Sequence, residues 1–303
     1  MAISACGPVF IDQQGREMVQ HGTPLFPAAC YQDDIRRAEV PWHWHEELEA
    51  LVVQAGAARV SVNGADHLVK EGEGFFINAG ALHGAWPAGE GSCLLRSVVF
   101  HPRLVGGSVD SILWQKYLEP LLCDPCRPCV FLGGAREWEQ AASSAIQAAW
   151  QACAAEAEGF EFVVRERLSA LIFLLFQNCP AQQKSPSGKA LRDGGRVKAM
   201  LQYIQQHYAG ALTLAAIAQS ASLSENECLR CFRSMTGSSP IQYLKQLRIQ
   251  KAAELLASTD WKIADIGAAC GFQEMSYFAR AFRELKGCTP SAYRKGLAQN
   301  TAK

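Results

Sequence analysis

The hydrophobic positions of this chain change rhythm twice. From about residue 25 to 100 the apolar stretches are short and separated by glycine-bearing turns, the texture of strands. Glu49–Gln54 is an apolar run, and Arg59-Val60-Ser61-Val62 follows Gly56. Asn63-Gly64 then predicts a two-residue hairpin with Asp66–Val69 as the returning strand, because both turn residues tolerate positive φ. Gly72 and Gly74 mark another turn, Phe75-Phe76-Ile77 a buried strand, and Cys93–Phe100 one more. Many short strands joined by turns predict a small barrel or sandwich.

From about residue 110 the spacing becomes helical. Glu137–Ala155 and Phe160–Asn178 carry apolar residues at intervals of three and four, as an α-helix with one buried face requires. Pro180–Gly195 is rich in Pro, Ser, Gly and charge and reads as a flexible linker. Beyond it everything is helical. Arg196–His207 is amphipathic, and Thr213 can cap a helix to about Ser220. Ser222 or Ser224 can cap another to about Met235, closed by Gly237. Pro240 opens a longer helix to about Ser258. Lys262–Ala269 and Gln273–Lys286 then repeat the short-helix pair around Cys270-Gly271-Phe272, and Pro290 starts a last short helix. The expected class is α+β, in three parts. Residues 1–105 form a small β-barrel, 106–189 a helical linking or dimerisation segment, and 190–303 an all-α domain with two helix–turn–helix units.

Charge sharpens this division. The chain of 303 residues has no net charge, but residues 1–189 hold 14 Lys/Arg against 21 Asp/Glu, and residues 190–303 hold 15 against 8. A basic back half behind an acidic front half points to a polyanion as partner of the back half alone. At 49% hydrophobic and 19% charged residues the composition is that of an ordered globular protein, long enough for two domains. The stretch MAISACGPVFIDQQG has neither the basic nor the long apolar region of a secretory leader. No apolar run approaches the ~20 residues of a membrane span. Twelve cysteines in such a chain read as free thiols. The expected location is the cytoplasm, with no membrane partner.

The duplication in the back half is visible residue by residue. Leu214-Ala-Ala-Ile-Ala-Gln-Ser-Ala-Ser-Leu-Ser precedes Cys228-Leu-Arg-Cys-Phe-Arg, and Ile263-Ala-Asp-Ile-Gly-Ala-Ala-Cys-Gly-Phe precedes Tyr277-Phe-Ala-Arg-Ala-Phe-Arg. Both copies end in Arg-x-Phe-Arg: Arg230, Phe232, Arg233 and Arg280, Phe282, Arg283. Small residues at the turn let two short helices cross, and the second helix of each pair can then enter a major groove. Over about Arg196–Lys295 this resembles the AraC family of bacterial transcription regulators. The most specific strings are Ala264-Asp-Ile-Gly-Ala-Ala-Cys-Gly-Phe, Ser276-Tyr-Phe-Ala-Arg-Ala-Phe-Arg and Gly287-Cys-Thr-Pro-Ser-Ala-Tyr-Arg294.

The resemblance implies two units reading successive major grooves of double-stranded DNA, about one turn or roughly 34 Å apart. Aligned on the family pattern, the outward positions are Asn226, Leu229 and Arg230 in the first recognition helix, and Met275, Ser276 and Arg280 in the second. Guanidinium can grip guanine or phosphate with two bonds, and Asn226 can pair with adenine. Ser276 suits a base or phosphate, and Leu229 and Met275 suit a thymine methyl. A lone exposed Arg is usually only solvated, but recurrence at equal positions of a duplicated unit favours DNA. Phe232, Phe272, Phe278 and Phe282 read as core. Glu225, Glu227 and Glu274 would repel phosphates, so they meet bases or face away. Cys228 and Cys231, three apart on a helix without a second Cys/His pair nearby, read as packing.

In the front half, His43, His45 and Glu49 share strand parity and so project to one face; Glu47 shares it too, which calls for a bulge or a fourth inward group. Gly72-x5-Asn78-Ala-Gly80-Ala-Leu-His83 supplies a third histidine. Three imidazoles and a carboxylate can bind a divalent metal. The spacing resembles the cupin pattern: His43, His45, Glu49 and Gly56 match its first motif, and Gly72, Gly80 and His83 its second. Asn78 stands in the place of a proline, and Pro87 where an asparagine is usual. The resemblance implies a small sensing barrel whose interior takes an effector.

Two contents of that barrel stay open: a polar pocket lined by the four residues, or a divalent metal held by them. Trp86 is a candidate pocket wall, and Trp42 and Trp44, opposite His43 in parity, are weaker ones. Cys123, Cys126 and Cys129 form a Cys-x2-Cys-x2-Cys run without a fourth cysteine in register, and its prolines suit an exposed connector. The reading is therefore a ligand-responsive DNA-binding regulator rather than an enzyme, requiring no cofactor. It pairs through the helices at 137–178 as a homodimer, with RNA polymerase as a further partner. The alternative is a cupin-type metalloenzyme, an oxygenase or isomerase, on His43, His45, Glu49 and His83.

Overall fold

A computed structural model of the chain describes residues 20–36, 39–124, 126–180 and 188–300. The N-terminal stretch read above for a leader, and residues 181–187 of the expected linker, lie outside the described residues. The chain forms two compact units that divide between Gly194 and Gly195.

Among the described residues the first unit contains nine strands: β1 (Ala28–Asp34), β2 (Val40–His43), β3 (Leu48–Ala55), β4 (Ala57–Val62), β5 (Ala65–Lys70), β6 (Gly74–Ile77), β7 (His83–Pro87), β8 (Leu94–Phe100) and β9 (Cys129–Leu132). They make two antiparallel sheets, ordered β1-β8-β3-β6-β9 and β2-β7-β4-β5. The sheets face each other without closing into one hydrogen-bonded ring, so the expected barrel is an open one. Asn63 and Gly64 turn β4 into β5 at φ 49° and 85°, with Val62 opposite Ala65, as that dipeptide predicts.

The sequence pattern showed β3, β4, β5, β6 and β8 but not β1, β2, β7 or β9. The first three carry polar residues, prolines or glycine (AACYQDD, VPWH, HGAWP), and β9 pairs with β6 across more than forty residues. Their strand character comes from pairing, not from local preference.

Both faces of the five-stranded sheet are covered. Leu48, Ala50, Val52, Phe76, Val98 and Phe100 point toward α3 (Glu137–Ala155) and α4 (Phe160–Asn178), meeting Ala142, Ile146, Leu168 and Leu171. Leu51, Val53, Phe75 and Leu95 point the other way, onto Val60, Val62 and Ala85 of the second sheet. Full burial of such side chains is worth about 1.5–3 kcal/mol each. The two long helices end where the sequence places them, α3 being stopped by Glu156 in the left-handed region. Between the sheets and α3 run a short α1 (Arg103–Gly106), a π-helical turn at Trp114–Leu118 and α2 (Glu119–Leu122). Of the helical segment expected over residues 106–189, residues 106–179 belong to the first compact unit. No helix among the described residues is long and apolar enough to cross a membrane.

The second unit begins within α5 (Gly188–His207), which starts eight residues earlier than the linker pattern predicts. Two mid-helix glycines, Gly194 and Gly195, weaken a helix by about 1 kcal/mol each but do not end it. The first pair is α6 (Leu214–Ser220) and α7 (Glu225–Thr236), the connector α8 (Pro240–Ser258), the second pair α9 (Ile263–Ala269) and α10 (Met275–Lys286), and the last helix α11 (Pro290–Asn300). Thr213 caps α6, accepting from Ala216 N at 3.2 Å, and Ser224 and Glu227 form a capping box on α7. Both α7 and α10 have twelve residues, and each is stopped by a glycine at φ 72°, Gly237 and Gly287. Cys228 is buried with its Sγ 3.3 Å from Met200 Sδ, and Cys231 is also buried, which makes both packing residues.

α8 serves both pairs. Its Ile249, Ala252, Ala253 and Leu256 pack with Ile266, Phe272, Phe278 and Phe282. Its Arg248 donates from Nε to Tyr208 O and from Nη2 to Gly210 O, both at 2.7 Å. Gly271 at the turn of the second pair sits against this junction at φ 83°, where a Cβ would lie 2.6 Å from Tyr208 O. Gly271→Ala therefore adds a left-handed non-glycine residue and a backbone clash. The expected loss is about 2 kcal/mol, read as a lower urea midpoint of the full chain at unchanged slope; an unshifted midpoint would mean that the turn has room to relax.

Candidate functional site

Four polar side chains converge inside the first unit. His43 closes β2 and pairs directly with His83 at the start of β7, their ring centroids 4.1 Å apart. After His43 the chain leaves the second sheet, bends through residues 45–47 and enters β3 of the first sheet. His43, His45 and Glu49 do not lie on one regular strand: of the bulge and the fourth inward group that Glu47 left open, the chain takes the first form, two strands in different sheets with a bend between them. His45 comes from the bend, Glu49 from β3, and Glu47 remains outside the group. Leu48 and Ala50 turn toward the helices, which sends Glu49 into the inter-sheet space.

The hydrogen bonds fix the tautomers. His43 Nδ1 contacts Pro41 O at 2.8 Å, His45 Nδ1 contacts Glu47 O at 3.0 Å, and His83 Nδ1 contacts Ala81 O at 2.9 Å. A carbonyl only accepts, so each Nδ1 is the N–H donor, and in a neutral ring the lone pair is left on Nε2. His45 Nε2 lies 3.5 Å and His83 Nε2 3.1 Å from Oε2 of Glu49. Both Nε2 atoms are buried without a hydrogen-bond partner among the described residues. Burial pushes the Glu49 carboxyl up, but the imidazoles of His45 and His83 beside it outweigh burial and hold the group well below the usual carboxylate range. One ligand atom from each of the four residues lies within 4.8 Å of all the others. Acceptors gathered this closely need a shared proton or a cation, and a backbone-oriented imidazole is how proteins prepare a histidine for metal.

The space around the tetrad is a cavity of about 30 Å³. His21, Tyr31, Asp33 and Ser97 add polar groups to its wall, and Leu51, Val60, Ile77 and Val99 apolar ones. His21 was not foreseen: it precedes the first strand, and nothing in its local sequence marks it. In the fold it is buried, with Nδ1 2.8 Å from the Tyr31 hydroxyl and its ring 5.4 Å from that of His45. None of the three candidate tryptophans lines the cavity. Trp42 and Trp86 stack on each other at 5.3 Å, and Trp86 lies across Gly84 with Arg59 over its ring, so parity on β7 turns Trp86 outward. Asn78, in the place of a proline, donates to Leu121 O at 2.7 Å and to Arg127 O at 3.1 Å, pinning the loop before β9. Cys123, Cys126 and Cys129 do not converge on a cluster: Cys123 is exposed, and Cys129 Sγ faces His67 Nε2 at 3.9 Å. The tetrad is the one metal-competent group among the described residues.

In the second unit Asn226, Leu229 and Arg230 share one shallow depression on α7 with Arg233 and Ser234. Asn226, Arg230 and Arg233 are exposed and Leu229 is half-buried. Arg233 was legible in the repeated Arg-x-Phe-Arg string although not among the expected contacts. On α10, Ser276 and Arg280 are exposed, the guanidinium over the exposed Tyr277 ring at 5.6 Å. Met275 is half-buried and packs toward Gly267 and the core of the second pair, which turns part of its side chain away from solvent. Glu227 is folded back on its own helix start, accepting from Ser224 Oγ at 2.8 Å, and Glu274 is the residue that precedes α10.

Residues 26–176 match the family described as AraC-like ligand binding domain, and residues 217–296 match a helix-turn-helix domain family. The chain is 29% identical over 290 residues to the HTH-type transcriptional regulator YdeC of Bacillus subtilis (strain 168), covering 94% of this chain and 97% of that one. It is 26% identical over 255 residues to the HTH-type transcriptional activator RhaR of Pectobacterium atrosepticum, covering 84% and 86% respectively. Among solved structures, the DNA-binding domain of AdpA in complex with a target DNA is 27% identical, with a TM-score of 0.35 over 36% of this chain and 97% of that one. A strand-rich domain of the first kind followed by a duplicated helix pair of the second makes the chain a member of the AraC family, a transcription regulator with a ligand-binding domain ahead of a helix-turn-helix DNA-binding domain.

Proposed function

We propose that the barrel interior holds the effector and that the contacts to double-stranded DNA are made by Asn226, Leu229 and Arg230 from α7 and by Met275, Ser276 and Arg280 from α10. The observation that carries this reading is the matched exposure of Arg230 and Arg280. They occupy equal positions in two helices of equal length, while Phe232 and Phe282, two residues further on, are fully buried. Each helix therefore turns its arginine outward because its opposite face is committed to the core. Met275 contributes least, since its side chain packs against Gly267 and the core of the second pair.

The regulator works in the cytoplasm, where its DNA is, and as a homodimer. Support for pairing through α4 is that Phe162, Val163, Phe173 and Phe176 are exposed on it, with Leu113 lining one groove with Phe173; apolar patches of this kind mark interaction surfaces. Where the operator adjoins a promoter, RNA polymerase is the next partner. A divalent metal on His43, His45, Glu49 and His83 belongs to the same reading, supported by the convergence of the three Nε2 atoms and the carboxylate. That convergence also suits a cupin-type metalloenzyme, but the relatives are named as transcriptional regulators and such an enzyme leaves the helix pairs without a task.

The contact assignment is tested on a fragment carrying the chain's own promoter. Changing Arg230 and Arg280 together to Ala is expected to abolish sequence-specific retardation, with the far-ultraviolet circular dichroism unchanged. Asn226→Ala alone should cost about 1–3 kcal/mol and relax specificity at one base pair. The parent's affinity should fall steeply with salt, with a shallower slope in the double variant. Retardation by the double variant equal to that of the parent would remove the assignment.

A further inference from the structure

We infer that the effector recognised by this barrel is a divalent first-row transition-metal ion itself, not an organic molecule. This rests on the reading of the barrel as the effector site and says what that site takes.

Size is the first ground. The cavity at the tetrad measures about 30 Å³. A water requires ~10–15 Å³ on that scale, so an ion with a water or two fits, whereas sites for organic ligands are far larger. Elsewhere in the first unit a groove of about 280 Å³ runs along Leu113, Tyr117 and Phe173, but it holds no cluster of donors.

Chemistry is the second ground. Three imidazole nitrogens with one carboxylate suit manganese, iron, cobalt, nickel or zinc. Magnesium and calcium want oxygen donors throughout, and no thiolate is present to select copper(I). The tautomers are already set, since Pro41, Glu47 and Ala81 each take an Nδ1–H through a backbone carbonyl. Such prepared donors bind an ion without first reorganising.

A route outward is the third. The His45 ring packs against His21, His21 Nδ1 meets the Tyr31 hydroxyl at 2.8 Å, and Tyr31 O accepts Trp150 Nε1 of α3 at 2.7 Å. α3 is the helix that covers the sheet and packs on α4. These contacts connect His45 to the helical layer through the His21 and Tyr31 side chains and the Tyr31 backbone carbonyl.

The test uses the full chain, stripped with EDTA and dialysed. Titration calorimetry with zinc, manganese or nickel chloride should find one ion per chain. Affinity should fall by more than about 100-fold in His83→Ala and in the nearly isosteric Glu49→Gln, with magnesium chloride giving no heat. The melting temperature of each stripped variant, equal to that of the stripped parent, separates lost ligation from lost fold. Retardation of the promoter fragment should then change by about tenfold or more between ion and EDTA in the parent, and not at all in the variants. Tyr31→Phe should keep the ion and lessen that change.

No stoichiometric ion, or an ion that leaves DNA affinity untouched, overturns the inference. A promoter-reporter strain then tells the two readings apart. Regulation altered in His43→Ala and His83→Ala cells yet indifferent to metals and chelators would leave the barrel an effector site for something else. Regulation unaltered by the substitutions would remove the barrel reading as well.

Discussion

Burial of both faces of the five-stranded sheet is the constraint on which the first unit depends. A strand covered on one side can let its other side vary, but β3, β6 and β8 have no solvent face to spare. Their alternate residues must suit two different neighbours, the helices α3 and α4 on one side and the second sheet on the other. This fixes the register of β3, and the register decides that Glu49 looks inward while Leu48 and Ala50 look out. A slip of one residue would bury the carboxylate against α3 and turn an alanine into the tetrad.

The polar groups in that interior are tolerable because each is held. A buried imidazole or carboxylate without partners costs several kcal/mol, and here the backbone carbonyls of Pro41, Glu47 and Ala81 satisfy one nitrogen of each ring. The remaining nitrogens of His45 and His83 face the Glu49 carboxylate at 3.5 and 3.1 Å. The bend between β2 and β3 supplies both His45 and the Glu47 carbonyl that orients it. The same short crossing from one sheet to the other thus brings a donor and fixes its direction.

In the second unit the corresponding spine is α8. It closes the core of the second helix pair, and its Arg248 binds the end of α5 beside the turn at Gly271. The relation between the pairs is therefore built into one helix and a few backbone carbonyls. Phe232 and Phe282 anchor α7 and α10 to their cores, and the arginines two residues earlier are left exposed.

Local chemistry determined much of this chain in advance. The hairpin at Asn63-Gly64, the caps at Thr213 and Ser224 and the stops at Gly237 and Gly287 follow from the φ preferences and hydrogen-bonding groups of a few neighbouring residues. The tetrad and the paired arginines were legible as well, because spacing and duplication survive in linear order. Strands β1, β2, β7 and β9, the outward turn of Trp86, the half-burial of Met275 and the place of His21 beside His45 were decided by the tertiary structure alone. Each depends on partners tens of residues away, and such pairings leave no trace in local periodicity. Sequence thus named the donors; the packing of two sheets against each other and against α3 decided which of them meet.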